Sequence, residues 1–330
     1  RWGMMAASWS LILSFAFGVE MPASEASTVT VRDDGVVLVD GRSFFPYGFY
    51  TDEKYDKQAM YDHASVTGKA GFNVIHVEPI DNDGLDALFA EAKANRQYVI
   101  YGAWKGIGLP ALRPIYDRVR NHPALLGYNI GDDVNDGTMV GYPANVADVK
   151  ALHDDLKSHD PGHLTMVALG GSGGQTDVFS ARRFDAAAEE IYPINGGSPI
   201  NLVYTSAAGI VANSARWKQS PWVALQTFDW NGNANQRMPT FREYSNMLYQ
   251  AIAAGVKGVM LYSYHVENNG ADSDRDLWNG LKSTTTEIHT IQDFLTDGKI
   301  TKVDLGGGLY ASTWEFQHRV LVIVVHAGNY

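Results

Sequence analysis

Eight short apolar runs, alternating with stretches that place apolar residues three and four apart, set the strongest constraint on this chain. The runs lie at 44–50, 73–79, 97–104, 125–133, 164–171, 188–194, 221–230 and 258–265. The helical spacing between and after them is clearest at 86–92, 146–156, 241–254 and 276–295. Apolar strands that alternate with amphipathic helices predict a parallel sheet covered by helices. Eight such pairs in about 250 residues fit a closed (β/α)8 TIM barrel better than an open doubly wound sheet, since no glycine-rich phosphate loop follows the first strand.

What flanks the eight units completes the expected organisation. An apolar run at 4–19 follows Arg1 and leads to the small residues Ser24-Glu25-Ala26, the pattern of an export signal over 1–26. That predicts a secreted or periplasmic protein, and no other apolar run is long enough to span a bilayer. Segments 28–31 and 36–39 flank Arg32-Asp33-Asp34-Gly35, a strand-turn-strand pattern expected to cap the barrel floor. The barrel is expected over 27–300. Beyond it, 309–314 and 320–325 read as two further strands, so 301–330 is expected to form a small sheet or the start of a β-sandwich.

Composition removes several kinds of function. The 330 residues, 45% apolar and 19% charged, suffice for one large core. A net charge of −11 without a basic cluster opposes binding to a phosphate backbone, so nucleic acid is not an expected partner. Cysteine is absent, which excludes disulfides, thiolate chemistry and Cys-based zinc sites. No His-Glu-x-x-His spacing or complete calcium-loop spacing occurs, and neither metal nor cofactor is predicted.

Catalytic groups of such a barrel come from the C-terminal ends of its strands. Carboxylates are frequent there: Glu78 after the second strand, Asp132 and Asp133 at the fourth, Glu190 on the sixth, Asp229 at the seventh and Glu267 after the eighth. Cleavage of a glycosidic bond needs two facing carboxyl groups, one protonated to release the leaving oxygen and one ionised to attack or to activate water. Trp104, Tyr192, Trp230 and Tyr264 fall near strand ends, where aromatic faces stack on sugar rings. His76 and His265 alternate with apolar residues and read as core histidines, and alternation turns Asn129 outward.

Asn121-His122-Pro123-Ala124-Leu125-Leu126-Gly127-Tyr128, followed by Gly131-Asp132-Asp133, resembles the fourth-strand segment of barrel glycoside hydrolases of the large retaining clan. Val39 to Gly48, Ala70 to Ile75, Glu190-Ile191-Tyr192-Pro193 and Ala253 to Gly258 are similar to other segments of that family, in the same order. The resemblance implies a carbohydrate substrate and places Asp133, where the family has Glu, as the general acid/base. It also puts a Glu nucleophile on the seventh strand, where this chain has Gln226, so Asp229 becomes that strand's candidate, with Glu190 in reserve. Asp132, Glu78, Tyr192, Gln226, Trp230, Tyr264, Trp104 and Glu267 are the expected substrate-binding residues.

Two other functions compete with hydrolysis of glycosides. Gln226 and the shorter Asp133 favour a barrel that binds glycans without cleaving them. An esterase would need a Ser, a His and a carboxylate at one rim. Ser263 and His265 share a strand face, but no Gly-x-Ser-x-Gly elbow occurs. The motifs specify no particular sugar, linkage or oligomeric state.

Overall fold

The structure, a computed structural model, describes residues 26–51, 57–77, 82–103, 109–134, 146–170, 184–229, 237–265 and 270–327. Three short antiparallel strands come first: β1 (Val29–Val31), β2 (Val37–Val39) and β3 (Arg42–Phe44). Eight parallel strands then close into a barrel: β4 (Tyr47–Thr51), β5 (Val74–Val77), β6 (Tyr98–Gly102), β7 (Leu125–Asn129), β8 (Leu164–Leu169), β9 (Ala186–Ile191), β10 (Ser220–Gln226) and β11 (Gly258–Tyr262). Around them, among the described residues, run α1 (Lys57–Lys69), α2 (Asn82–Ala94), α3 (Leu109–Val119), α4 (Val146–His159), α5 (Leu202–Trp217), α6 (Phe241–Ala254) and α7 (Arg275–Asp297).

Strand alternation divides the core in two. Trp222, Ala224, Met166, Ala188 and Met260 point into the barrel, while Val223, Leu225, Val167, Ala187 and Leu261 pack against the helices. The barrel interior is filled rather than hollow, as a strand ring of this size requires. At its floor Trp222 is wholly buried, and the neighbouring strand answers with Gly258, where a Cβ would stand 2.8 Å from the indole. The N-terminal sheet closes that floor: Phe44 meets Tyr98 edge-on at 5.2 Å, and Val29, Val37 and Val39 join the same apolar cluster. The opposite, C-terminal end of the strands is left for the site.

The predicted strand 44–50 divides in the structure. Phe44 ends β3, and the barrel strand begins at Tyr47, directly after Pro46, which has no N–H to give to a ladder. The sixth barrel strand ends at Ile191 rather than 194, with a turn following it. After the barrel come three antiparallel strands, β12 (Lys299–Asp304), β13 (Leu309–Phe316) and β14 (Arg319–His326), where the sequence showed two. In β12 the apolar residues Ile300 and Val303 fall on opposite faces, so no alternation marks it. This sheet packs Trp314, Ile323 and Val325 onto the barrel's helices and leaves Val320, Val322 and Val324 exposed. No described helix is long and apolar enough to cross a membrane. The expected export signal, apart from Ala26, lies outside the described residues.

Candidate active site

The mouth of the barrel is built where the inward-facing positions of the strands reach their C-terminal ends. Ala186 and Ala188 point inward, so Glu190 does too, beside Ala224 of β10. The residue keeps part of its surface open to the mouth, but its carboxyl sits deep enough that burial is the first cause holding it well above the usual carboxylate range. The negative charges of Asp132 and Asp133 push it further, as does a hydrogen bond with the Asp133 side chain. Both acidic neighbours and burial thus act on Glu190 in the same direction, favouring its neutral form beside the acidic turn.

Backbone geometry brings Asp133 there. After β7 the chain runs on through Gly131, whose carbonyl accepts from Ala168 N at 2.8 Å, to an isolated bridge between Val134 and Leu169. Asp133 has φ +50°, the left-handed region that Asp tolerates better than most residues. It packs against Gly170, where a Cβ would lie 3.2 Å from Asp133 Oδ1 and 3.4 Å from its Cα. A side chain at 170 would thus press on the carboxylate. Asp132 is partly exposed beside it, and Asp229 is partly exposed just beyond β10.

Two polar residues outside the predicted set belong to this mouth. Leu126 points into the barrel and Tyr128 points out, because the pairing of β6 with β7 shifts register at Val99/Ile100. One extra residue inverts the alternation beyond it. Asn129 consequently faces inward, wholly buried, and its Nδ2 donates to His76 Nε2 at 3.2 Å. Its Oδ1 accepts from Gly131 N at 3.3 Å, which fixes the amide and links it to the acidic turn. The His76 ring lies 4.3 Å from that of Tyr50, the two planes tilted by 40°. Only the register shift separates Asn129 from the residues that strand counting turns inward.

An aromatic arc continues round the rim. Tyr50 and Tyr262 stand 5.9 Å apart, Tyr262 and Tyr192 5.9 Å, and Tyr192 meets Phe228 edge-on at 5.0 Å. Tyr192 and Tyr262 keep part of their surface in solvent. Burial, followed by the nearby Glu190, pushes the Tyr192 hydroxyl well above its ordinary range, so it stays a neutral donor. Tyr264, in contrast, packs outside the barrel: its ring lies 5.7 Å from Phe49 and 5.2 Å from Trp278, and only 8% of the residue is exposed. It is a core residue.

Gln226 is wholly buried, and its amide is used within the protein. Oε1 accepts from Asn195 N at 3.0 Å, and Nε2 donates to the carbonyls of Phe228 at 3.0 Å and Arg237 at 3.2 Å. Glu78, Trp104, Trp230 and Glu267 lie outside the described residues. Among the described residues no group of three or more His, Asp or Glu side chains is arranged to hold a metal.

The esterase alternative loses its constellation. Ser263 Oγ donates to the His265 carbonyl at 3.1 Å, while the His265 ring faces Asp272 at 2.6 Å. A Ser-His-Asp contact does occur at the barrel floor, where Ser27 Oγ lies 3.4 Å from His163 Nε2 and His163 Nδ1 lies 2.8 Å from Asp160. Yet Ser27 Oγ donates to Leu125 O at 2.8 Å, and the three residues are 2%, 2% and 5% exposed, so no substrate reaches them. They fasten the N-terminal segment to the barrel.

No protein-family model matches the sequence, and no curated protein aligns with it. Solved structures do resemble the fold. An endo-β-1,4-mannanase from Thermotoga petrophila superposes with a TM-score of 0.53 at 12% identity, covering 87% of this chain and 98% of that one. A β-glucuronidase from Bacteroides uniformis gives 0.60 at 11% identity over 92% of this chain and 45% of its own. A β-galactosidase from the haloarchaeon Halorubrum lacusprofundi gives 0.55 at 11% over 74% and 58%. The chain thus has the barrel fold on which these glycosidases are built.

Proposed function

We propose that this protein hydrolyses glycosidic bonds in an oligo- or polysaccharide, with Glu190 as the proton donor. The observation that carries the proposal is an inward-facing carboxyl at the barrel mouth that burial and two acidic neighbours hold well above the usual carboxylate range. This reverses the order expected from the fourth-strand motif, which puts Asp133 as the acid. Glu190 gives its proton to the glycosidic oxygen as the bond from the anomeric carbon breaks, and a second carboxylate takes a proton from water on, or adds to, the far side. Asp229 is the candidate for that group, since Asp133 is hydrogen-bonded to Glu190 and stands on the same side of the bond. Tyr192 and Tyr262 offer ring faces to the sugar, and the apolar segment 4–19 supports action outside the cytoplasm.

Gln226 supports a second reading. It occupies the strand on which the resembling family carries its nucleophile, and its amide is consumed by backbone partners. A barrel that binds glycans without turnover accounts for that. Assaying reducing ends released from a panel of polysaccharides and aryl glycosides separates the two. Hydrolysis that falls by more than about 100-fold in Glu190→Gln supports general acid catalysis. Glycan binding without release of reducing ends supports the second reading.

A further inference from the structure

We infer that Gln226 is a positioning residue: its one amide fastens together the chain segments that carry the candidate site, and it is not a vestigial nucleophile awaiting a carboxylate. The inference rests on the glycosidase reading for its kinetic consequences and on hydrogen bonds alone for its structural ones.

Gln226 ends β10 and points into the mouth, since Trp222 and Ala224 before it face the barrel interior. It pairs with Tyr262 of β11, and the preceding Leu225 pairs with Ile191 of β9, so it stands between the two strands that lead to the rim tyrosines. Its Oε1 accepts from Asn195 N, three residues beyond Tyr192. Its Nε2 donates to Phe228 O, adjacent to Asp229, and to Arg237 O, where the chain returns toward α6. Phe228 and Arg237 are therefore held by one NH2 group, and the same side chain anchors the turn after Glu190 and Tyr192. All three bonds are buried or partly buried, and both ends of the amide are needed: an oxygen that accepts and a nitrogen that donates twice.

A carboxylate introduced by Gln226→Glu makes the two ideas diverge. In its ionised form it would still accept from Asn195 N but would turn its second oxygen toward the carbonyls of Phe228 and Arg237, acceptor against acceptor. Protonated, it would recover one donor. A vestigial nucleophile would behave oppositely: the ionised carboxylate would be the active form.

The test uses Gln226→Glu and Gln226→Met, followed by kcat and KM across pH and by amide exchange at Asn195. Positioning predicts a fall in kcat of about tenfold or more at pH 7 in Gln226→Glu, partial recovery as pH falls toward 5, and no recovery at any pH in Gln226→Met. It also predicts about tenfold or faster exchange of the Asn195 amide in Gln226→Met, with exchange in β8 unchanged. A rise in turnover for Gln226→Glu at pH 7, or an Asn195 amide as protected as before, would overturn the inference. If the unmodified protein cleaves no glycoside, exchange at Asn195 still decides this point, and only the hydrolytic reading falls.

Discussion

Burial removes from Glu190 the water that would stabilise its charge, and Asp132 and Asp133 make a further negative charge beside them costly. Space for this arrangement depends on Gly170, which leaves the Asp133 carboxylate 3.2 Å from the position a Cβ would occupy. Gly170→Ala should therefore displace Asp133 and lower turnover by about tenfold, roughly 1.4 kcal/mol in the barrier, while the melting temperature moves little. Steady-state kinetics beside a thermal melt checks both halves.

Elements set where these residues stand. Helix α6 starts at a full capping box: Thr240 accepts from Glu243 N at 3.3 Å, and Glu243 accepts from Thr240 N at 2.8 Å. Arg237 grips the same carboxylate, and this ion pair first, with the cap bonds, lowers the Glu243 carboxyl to about 2. Because the folded value lies below the unfolded one, the contribution is complete above about pH 4.5 and is lost as pH falls toward 2. Thr240→Ala should cost about 1 kcal/mol, measured by urea denaturation at pH 7. The span of α6 is legible in its periodicity over 241–254. The barrel order is legible for the same reason: alternation between strand and helix signals survives without any motif. Asn129 is not legible, since one bulged residue inverts the parity that sequence counting relies on. Nor is Tyr264, since proximity to a strand end does not say which side of the barrel a ring takes.

At the scale of the whole molecule, the floor is where the barrel, α7 and the C-terminal sheet are joined. Lys257 donates to Leu295 O at 2.8 Å and lies 5.3 Å from the Trp314 ring. Burial lowers its ammonium to about 8, against an ordinary 10.5. The folded state therefore holds fewer protons than the unfolded one between those values, and stability rises with pH through that interval. Lys257→Met should flatten the part of the rise between about pH 8 and 10.5 that this ammonium supplies, as read from thermal melts beside the unmodified protein. The central claim, however, concerns the mouth: Asp133 keeps the Glu190 proton in place for catalysis. The most direct test is the pH dependence of kcat/KM on an aryl glycoside, comparing the unmodified protein with Asp133→Asn. Removing the negative charge should lower the Glu190 pKa and move the basic limb to lower pH; a limb that stays in place, or moves to higher pH, would contradict the account.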